Sequence, residues 1–300
     1  MIHSVTVTNH LGEELEMILA EPEKSGLAIT NITGLGEPGA DINITEMVGT
    51  DFGSFNSSRI SSRDPVITIK YYGDDTEASR LKCNKYFSTK HYVKLRFITD
   101  HRDCYLSAFV EKNEPDIFSP ESGCQISLRC ADRFFYSEDL VTTDFSGIQP
   151  LFHFPFSDSN PDEIQFGEVR VSKEKSINYK GEEENGIIIK LHALGIIKDF
   201  VLYNVDTSER LGINDTALAS LTGHGIIEND EIIIDTRVGH KTATLIRNGV
   251  STNIINALNK NPRPNWFKLS AGDNLFTYTA SQGEYDVVLN IEHNILYKGI

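Results

Sequence analysis

The chain has 300 residues and a net charge of −15, from 28 basic and 43 acidic side chains. At about 100–200 residues per domain this predicts two domains, each able to bury a core without metal or disulfide staples. Hydrophobic residues at 39% and charged residues at 24% exclude a disordered chain, no run approaches the roughly 18 apolar residues of a membrane helix, and acidity on both sides of residue 145 argues against broad binding to nucleic acid or anionic membranes.

The start, Met1–Val7, has neither a basic segment nor a long apolar one, so no secretory signal is expected. Ala28–Thr33 reads as a strand and runs into Gly34-Leu35-Gly36-Glu37-Pro38-Gly39, a literal GxGxxG. A dinucleotide site needs a helix after that motif, with its N-terminus facing the pyrophosphate. Here Ala40–Thr45 alternates like a strand and Pro38 sits inside the motif, so a strand-to-strand turn is the better reading.

Val66–Tyr71 places Ile67, Ile69 and Tyr71 on one face. A helix follows from about Thr76 to Phe87, with Asp74 as cap and Glu77 three residues on. Its Ser79, Cys83, Tyr86 and Phe87 fall together, which predicts a helix lying on a sheet. Val93–Phe97 and Tyr105–Val110 alternate across the polar turn Asp100–Asp103 and predict a hairpin. Gln125–Cys130 is a further strand. Cys83, Cys104, Cys124 and Cys130 match no metal spacing and no disulfide scaffold, so reduced thiols are expected.

The aromatic, proline-punctuated stretch Pro150–Phe156 marks a boundary, drawn between 1–145 and 146–300. Strands then recur at Glu168–Val171, Gly186–Leu191, Asp199–Val205, Glu231–Asp235, Thr242–Arg247, Trp266–Leu269, Leu275–Thr279 and Tyr285–Ile291, with turn residues between them. Eight short strands in this length predict a β-sandwich or jelly roll. Helical interruptions are expected at Asp215–Leu221 or Asn253–Asn259.

Chemistry is hard to find. The nine histidines do not pair as HxxxH or HExxH, no GxSxG elbow is present, and Glu182-Glu183-Glu184 precedes a turn and reads as a solvated loop. Asn261-Pro262-Arg263 near Trp266 suggests part of a galectin sugar site, but the His and Glu partners are missing from galectin spacing. Phe267 and Leu269 share the face expected to be core, and Trp266 and Lys268 the other. No catalytic, cofactor-binding or metal-binding residue is assigned, no cofactor is expected, and the chain is read as a non-enzyme.

The first 140 residues resemble the siphophage-type phage tail family, which includes the distal tail (Dit) proteins of phages of Gram-positive bacteria. The similar stretches are Ile29–Gly36, Gly53–Arg59, Val66–Lys70, the helix leading to Lys85-Tyr86-Phe87, Val110–Ser119 and Gly123–Tyr136. The family's Cys-Pro-Asp-Pro reads Cys130-Ala131-Asp132-Arg133 here. More loosely, Glu231–Thr236 and Phe267–Asn274 resemble the family's Ile-Asp-Thr strand and Leu-x-x-Gly-x-Asn turn. The resemblance implies a mainly β protein: an N-terminal β-sandwich-like, ring-forming domain with one helix, and a C-terminal galectin-like sandwich. It implies a virion structural protein made in the host cytoplasm and placed at the tail tip. There a hexameric ring would join the tail tube protein to the hub, fibre and receptor-binding proteins, without contact to nucleic acid or membrane. A carbohydrate-binding module for wall polysaccharide is the alternative, and a wall hydrolase the third reading. The Val93–Val110 hairpin is expected to carry ring assembly, and the C-terminal domain to dock proteins rather than sugar.

Overall fold

The computed structural model describes residues 1–46, 49, 51–116, 118, 122–171 apart from 151–166, 173–259 and 265–300, with 146–150 and 167–171 as backbone. It divides into two units, Met1–Glu138 with Leu296–Ile300, and Asp139–Ile295. The last five residues thus belong with the first unit, a division that a single cut after 145 does not make.

The first unit holds β1 (Ile2–Thr8), β2 (Glu14–Ile18), β3 (Leu27–Thr33), β4 (Ala40–Glu46), β5 (Gly53–Ile60), β6 (Val66–Tyr71), β7 (Tyr92–Thr99), β8 (Asp103–Asp116), β9 (Gly123–Arg129) and β10 (Phe135–Ser137). Helices α1 (Pro22–Ser25) and α2 (Thr76–Tyr86) interrupt them, one helix more than expected. One antiparallel sheet runs β2-β1-β7-β8-β9-β6-β3. Period-2 alternation sends Val5, Leu95, Leu106, Ile126, Leu128 and Ile67 to one buried face, where α2 adds Cys83 and its C-cap Phe87. Asp75, not Asp74, caps α2, its carboxylate accepting from the Ala78 N–H. The cap sits next to the helix because its oxygen must reach the third residue on. Ser79 and Cys83 bury while Leu81 stays exposed.

The second unit holds β11 (Val141–Asp144), β12 (residues 146–150), β13 (residues 167–171), β14 (Glu174–Tyr179), β15 (Asn185–Gly186), β16 (Ile188–Ala193), β17 (Val201–Asn204) and β18 (Glu209–Gly212). After α3 (Asp215–Thr222) come β19 (Glu231–Asp235), β20 (Thr242–Arg247), β21 (Val250–Asn253), β22 (Lys268–Leu269), β23 (Gly272–Thr279) and β24 (Val287–His293). Two sheets, β11-β24-β16-β19-β20-β21 and β14-β23-β17-β18, supply one core. Ile189, Ile232 and Ile291 enter it from the first sheet, and Ile177, Leu202 and Phe276 from the second. This is the expected β-sandwich. Asn214 caps α3, accepting from Ala217, and Gly223 ends it at φ 85 in the left-handed region that favours glycine. The other expected helical stretch contains only a 3₁₀ turn, Ile255–Ala257. The chain then returns to the first unit as β25 (Leu296–Tyr297), pairing with β10.

Candidate functional site

The hairpin expected to carry assembly lies inside the main sheet. The Val93–Val110 hairpin exists as β7–β8, but β7 also pairs with β1 and β8 with β9. β7 has both edges paired from Lys94 to Ile98, whereas the second edge of β8 within the hairpin is paired only at Cys104 and Tyr105, by β10, and from Phe109 on, by β9. The tip is occupied too: the Asp100 carboxylate receives the Met1 amine and the His3 ring nitrogen, the latter at 2.7 Å.

An exposed ribbon lies elsewhere in the first unit. β4 and β5 pair only with each other, as a two-stranded ribbon outside the main sheet. Every residue of β4 is exposed, and all of β5 but Ile60. Along β4, Ile42 and Ile44 share a face, and register places Phe55 directly opposite Ile44. Their exposures are 61%, 55% and 63%, and Phe52, just before β5, is 78% exposed. An isolated two-stranded hairpin is marginal in water, because it cannot bury enough to offset its ordering entropy. An exposed apolar stripe on such a ribbon marks a contact surface.

The glycine motif is a turn, as expected, and its chemistry excludes a phosphate cradle. Gly34 has φ 79, and a Cβ there would lie 3.1 Å from the Pro65 Cα. The buried Arg63 guanidinium donates to the carbonyls of Gly34 and Gly36, the latter at 2.8 Å. A loop whose carbonyls converge on a cation presents the wrong polarity to an anion. Arg63 also donates to the Arg133 and Lys298 carbonyls, and its cation sits 4.5 Å over the Phe135 ring. It therefore ties the turn, β10 and the C-terminal residues together.

Among the described residues no group of three or more His, Cys, Asp or Glu could hold a metal ion. The fold stacks His10 on His91, ring centroids 3.9 Å apart, a pairing that sequence spacing did not reveal. In the second unit Phe267 and Leu269 are buried, as their alternation predicts. Trp266 packs partly against the same core, and the Lys241 ammonium lies 5.5 Å from its ring centroid. Its rings are thus partly engaged rather than a free sugar platform. Asn261, Pro262 and Arg263 lie outside the described residues. A cleft of ≈ 600 Å³ beside α3 is lined by Asp215, Thr216, Ser220 and His224. Asp215 accepts from the Asp199 N–H through one oxygen, and burial raises its carboxyl pKa.

No family model and no curated protein matches the sequence. Solved structures do match it. The crystal structure of the SPP1 Dit protein, described as a paradigm of the hub adsorption apparatus in phages infecting Gram-positive hosts, aligns with a TM-score of 0.66 at 14% identity, covering 97% of this chain and 98% of that one. This chain has the Dit fold. A chain of the phage P2 baseplate in its activated conformation with Ca aligns at a TM-score of 0.54 and 13% identity, over 98% of both chains. A chain of the same baseplate with Sr gives 0.52 and 12%, over 97% of both. The Dit fold therefore extends over nearly the whole chain, although so few residues are shared. No helix among the described residues is long and apolar enough to cross a membrane, which says nothing of β-barrels.

Proposed function

We propose that the chain is a structural distal tail protein, a baseplate hub subunit that forms a homo-oligomeric ring, a hexamer as the resemblance implies. It links a phage or phage-derived tail tube to the tail-tip and receptor-binding proteins. The observation that carries this reading is the end-to-end match to the SPP1 Dit protein. The exposed ribbon agrees with it: Ile42, Ile44 and Phe55 need cover, and a second copy of the chain supplies it in a ring. The first unit is the ring former and the second the docking domain. The role is architectural and assigns no catalytic step.

The test is the solution mass of the full chain by light scattering, with the Ile44→Asp/Phe55→Asp double variant beside it. A charge pair placed on an apolar contact should return the ring to monomers while the circular dichroism spectrum holds. A full chain that stays monomeric at every concentration, and binds neither a tail-tube nor a fibre protein, overturns the reading. Rings that persist unchanged in the double variant would move the interface away from the ribbon and leave the hub assignment standing.

A further inference from the structure

Cys83 and Cys124 come from different elements and meet inside the first unit. Cys83 is on the buried face of α2, and Cys124 is the second residue of β9, opposite Ile69 of β6. Their sulfurs are 3.1 Å apart, and neither is bonded to a partner cysteine. A disulfide needs about 2.05 Å, so the sulfurs must approach by about 1 Å, within the reach of small side-chain rotations. Their backbones are already held. Gly123 lies so close to β6 that a Cβ there would sit 2.4 Å from the Ile69 carbonyl oxygen, while the Asp75 cap and the 2.8 Å bond from Lys82 Nζ to the Ser25 carbonyl fix α2.

Helix α2 gains little from its own apolar surface. It buries Ser79 and Cys83, leaves Leu81 exposed, and lies on the sheet by a narrow strip. A covalent tie at Cys83 would fasten it where packing is thinnest.

We propose that Cys83 and Cys124 are a disulfide-forming pair that stays reduced in a reducing cytoplasm and closes in an oxidising medium, stapling α2 to the sheet. The oxidant is a small disulfide such as oxidised glutathione. Cys124 is 5% exposed and Cys83 fully buried, so Cys124 is the thiol that reaches the oxidant. Its thiolate attacks one glutathione sulfur and releases the first glutathione thiolate, leaving a mixed disulfide. The Cys83 thiolate then attacks the Cys124 sulfur and releases the second. Two thiol protons pass to the two glutathiones, and two electrons leave the cysteine pair. Cys104 and Cys130 are equally buried but lie against no other cysteine sulfur among the described residues, so they serve as internal controls.

The test uses the full chain purified under reductant, then held with oxidised glutathione at a temperature just below unfolding, where local opening admits the reagent. Free thiols are counted after denaturation, and the cross-link is mapped by digestion and mass spectrometry. Two of the four thiols should disappear without added glutathione mass, and one cross-linked peptide should join Cys83 to Cys124. Closing a loop of this length should raise the first unit's melting midpoint on the order of 10 °C, reversibly with reductant. Cys83→Ser and Cys124→Ser should each abolish the shift. Four thiols persisting in the wild type, a stable mixed disulfide, or a map that joins other cysteines overturns the proposal. The mapping needs no variant, so a substitution that fails to fold does not block it.

Discussion

Acid should weaken the second unit through one residue. His293 ends β24 with 1% of its surface exposed, its Nδ1 buried without a hydrogen-bond partner and its ring edge-on to Tyr179 at 5.5 Å. Burial alone lowers its pKa from 6.5 to about 4, because the core offers the imidazolium neither water nor an acceptor. The sign follows from proton counts. Between those two values the unfolded chain binds a proton that the native state refuses, so stability is lost as pH falls through this window and is intact above it. Between about pH 7 and about pH 5 the loss should be about 2 kcal/mol. The single tryptophan, Trp266, packs against the same core and so reports this unit alone. Urea titrations followed by its fluorescence, at constant ionic strength, give the free energy at each pH. Asp215 opposes the trend, because a raised carboxyl pKa stabilises as pH falls, so the decisive quantity is wild type minus His293→Phe. The variant should lack about 2 kcal/mol of the acid-dependent loss. Equal slopes in both proteins would refute the argument.

Two further substitutions probe the polar groups that the fold encloses. Asp230 is fully buried, accepts from Arg247 Nε at 2.7 Å and from the Ile227 N–H at 2.9 Å, and Asp230→Ala should cost about 3–5 kcal/mol in the same urea assay because it leaves a guanidinium unpaired. Ending the chain at Ile295 removes β25 and two carbonyls, those of Lys298 and Gly299, that Arg63 and Arg102 use. The first unit should then melt lower in calorimetry, by a loss of about 3 kcal/mol, while the Trp266 transition stays in place.

Which features could be read ahead depends on whether their cause is local. Val66–Tyr71, Glu231–Asp235 and Thr242–Arg247 end where their alternation ends, and both β-domain classes follow from such runs. β14 was invisible because Glu174–Tyr179 buries only Ile177 and Tyr179, too sparse a pattern to mark a strand without its partner β23. β25 has two residues and exists through β10, far away in sequence, so no window around it carries a signal. Arg63 carries no sequence signal for the same reason: its four carbonyl partners become neighbours only once the chain has closed.

The exposed ribbon shows a sharper limit. Alternation predicts a strand with one wet face, and both Val93–Val110 and Ala40–Glu46 alternate. The first lies within the main sheet, and the second is exposed throughout. Periodicity reports that a face wants cover and is silent on whether the same chain provides it. The answer came from strand order. A ribbon outside the sheet that buries its neighbours leaves Ile42, Ile44 and Phe55 more than half exposed among the described residues. Under the hub reading proposed above, the residues that read like core and are found in solvent are therefore the first ones to mutate.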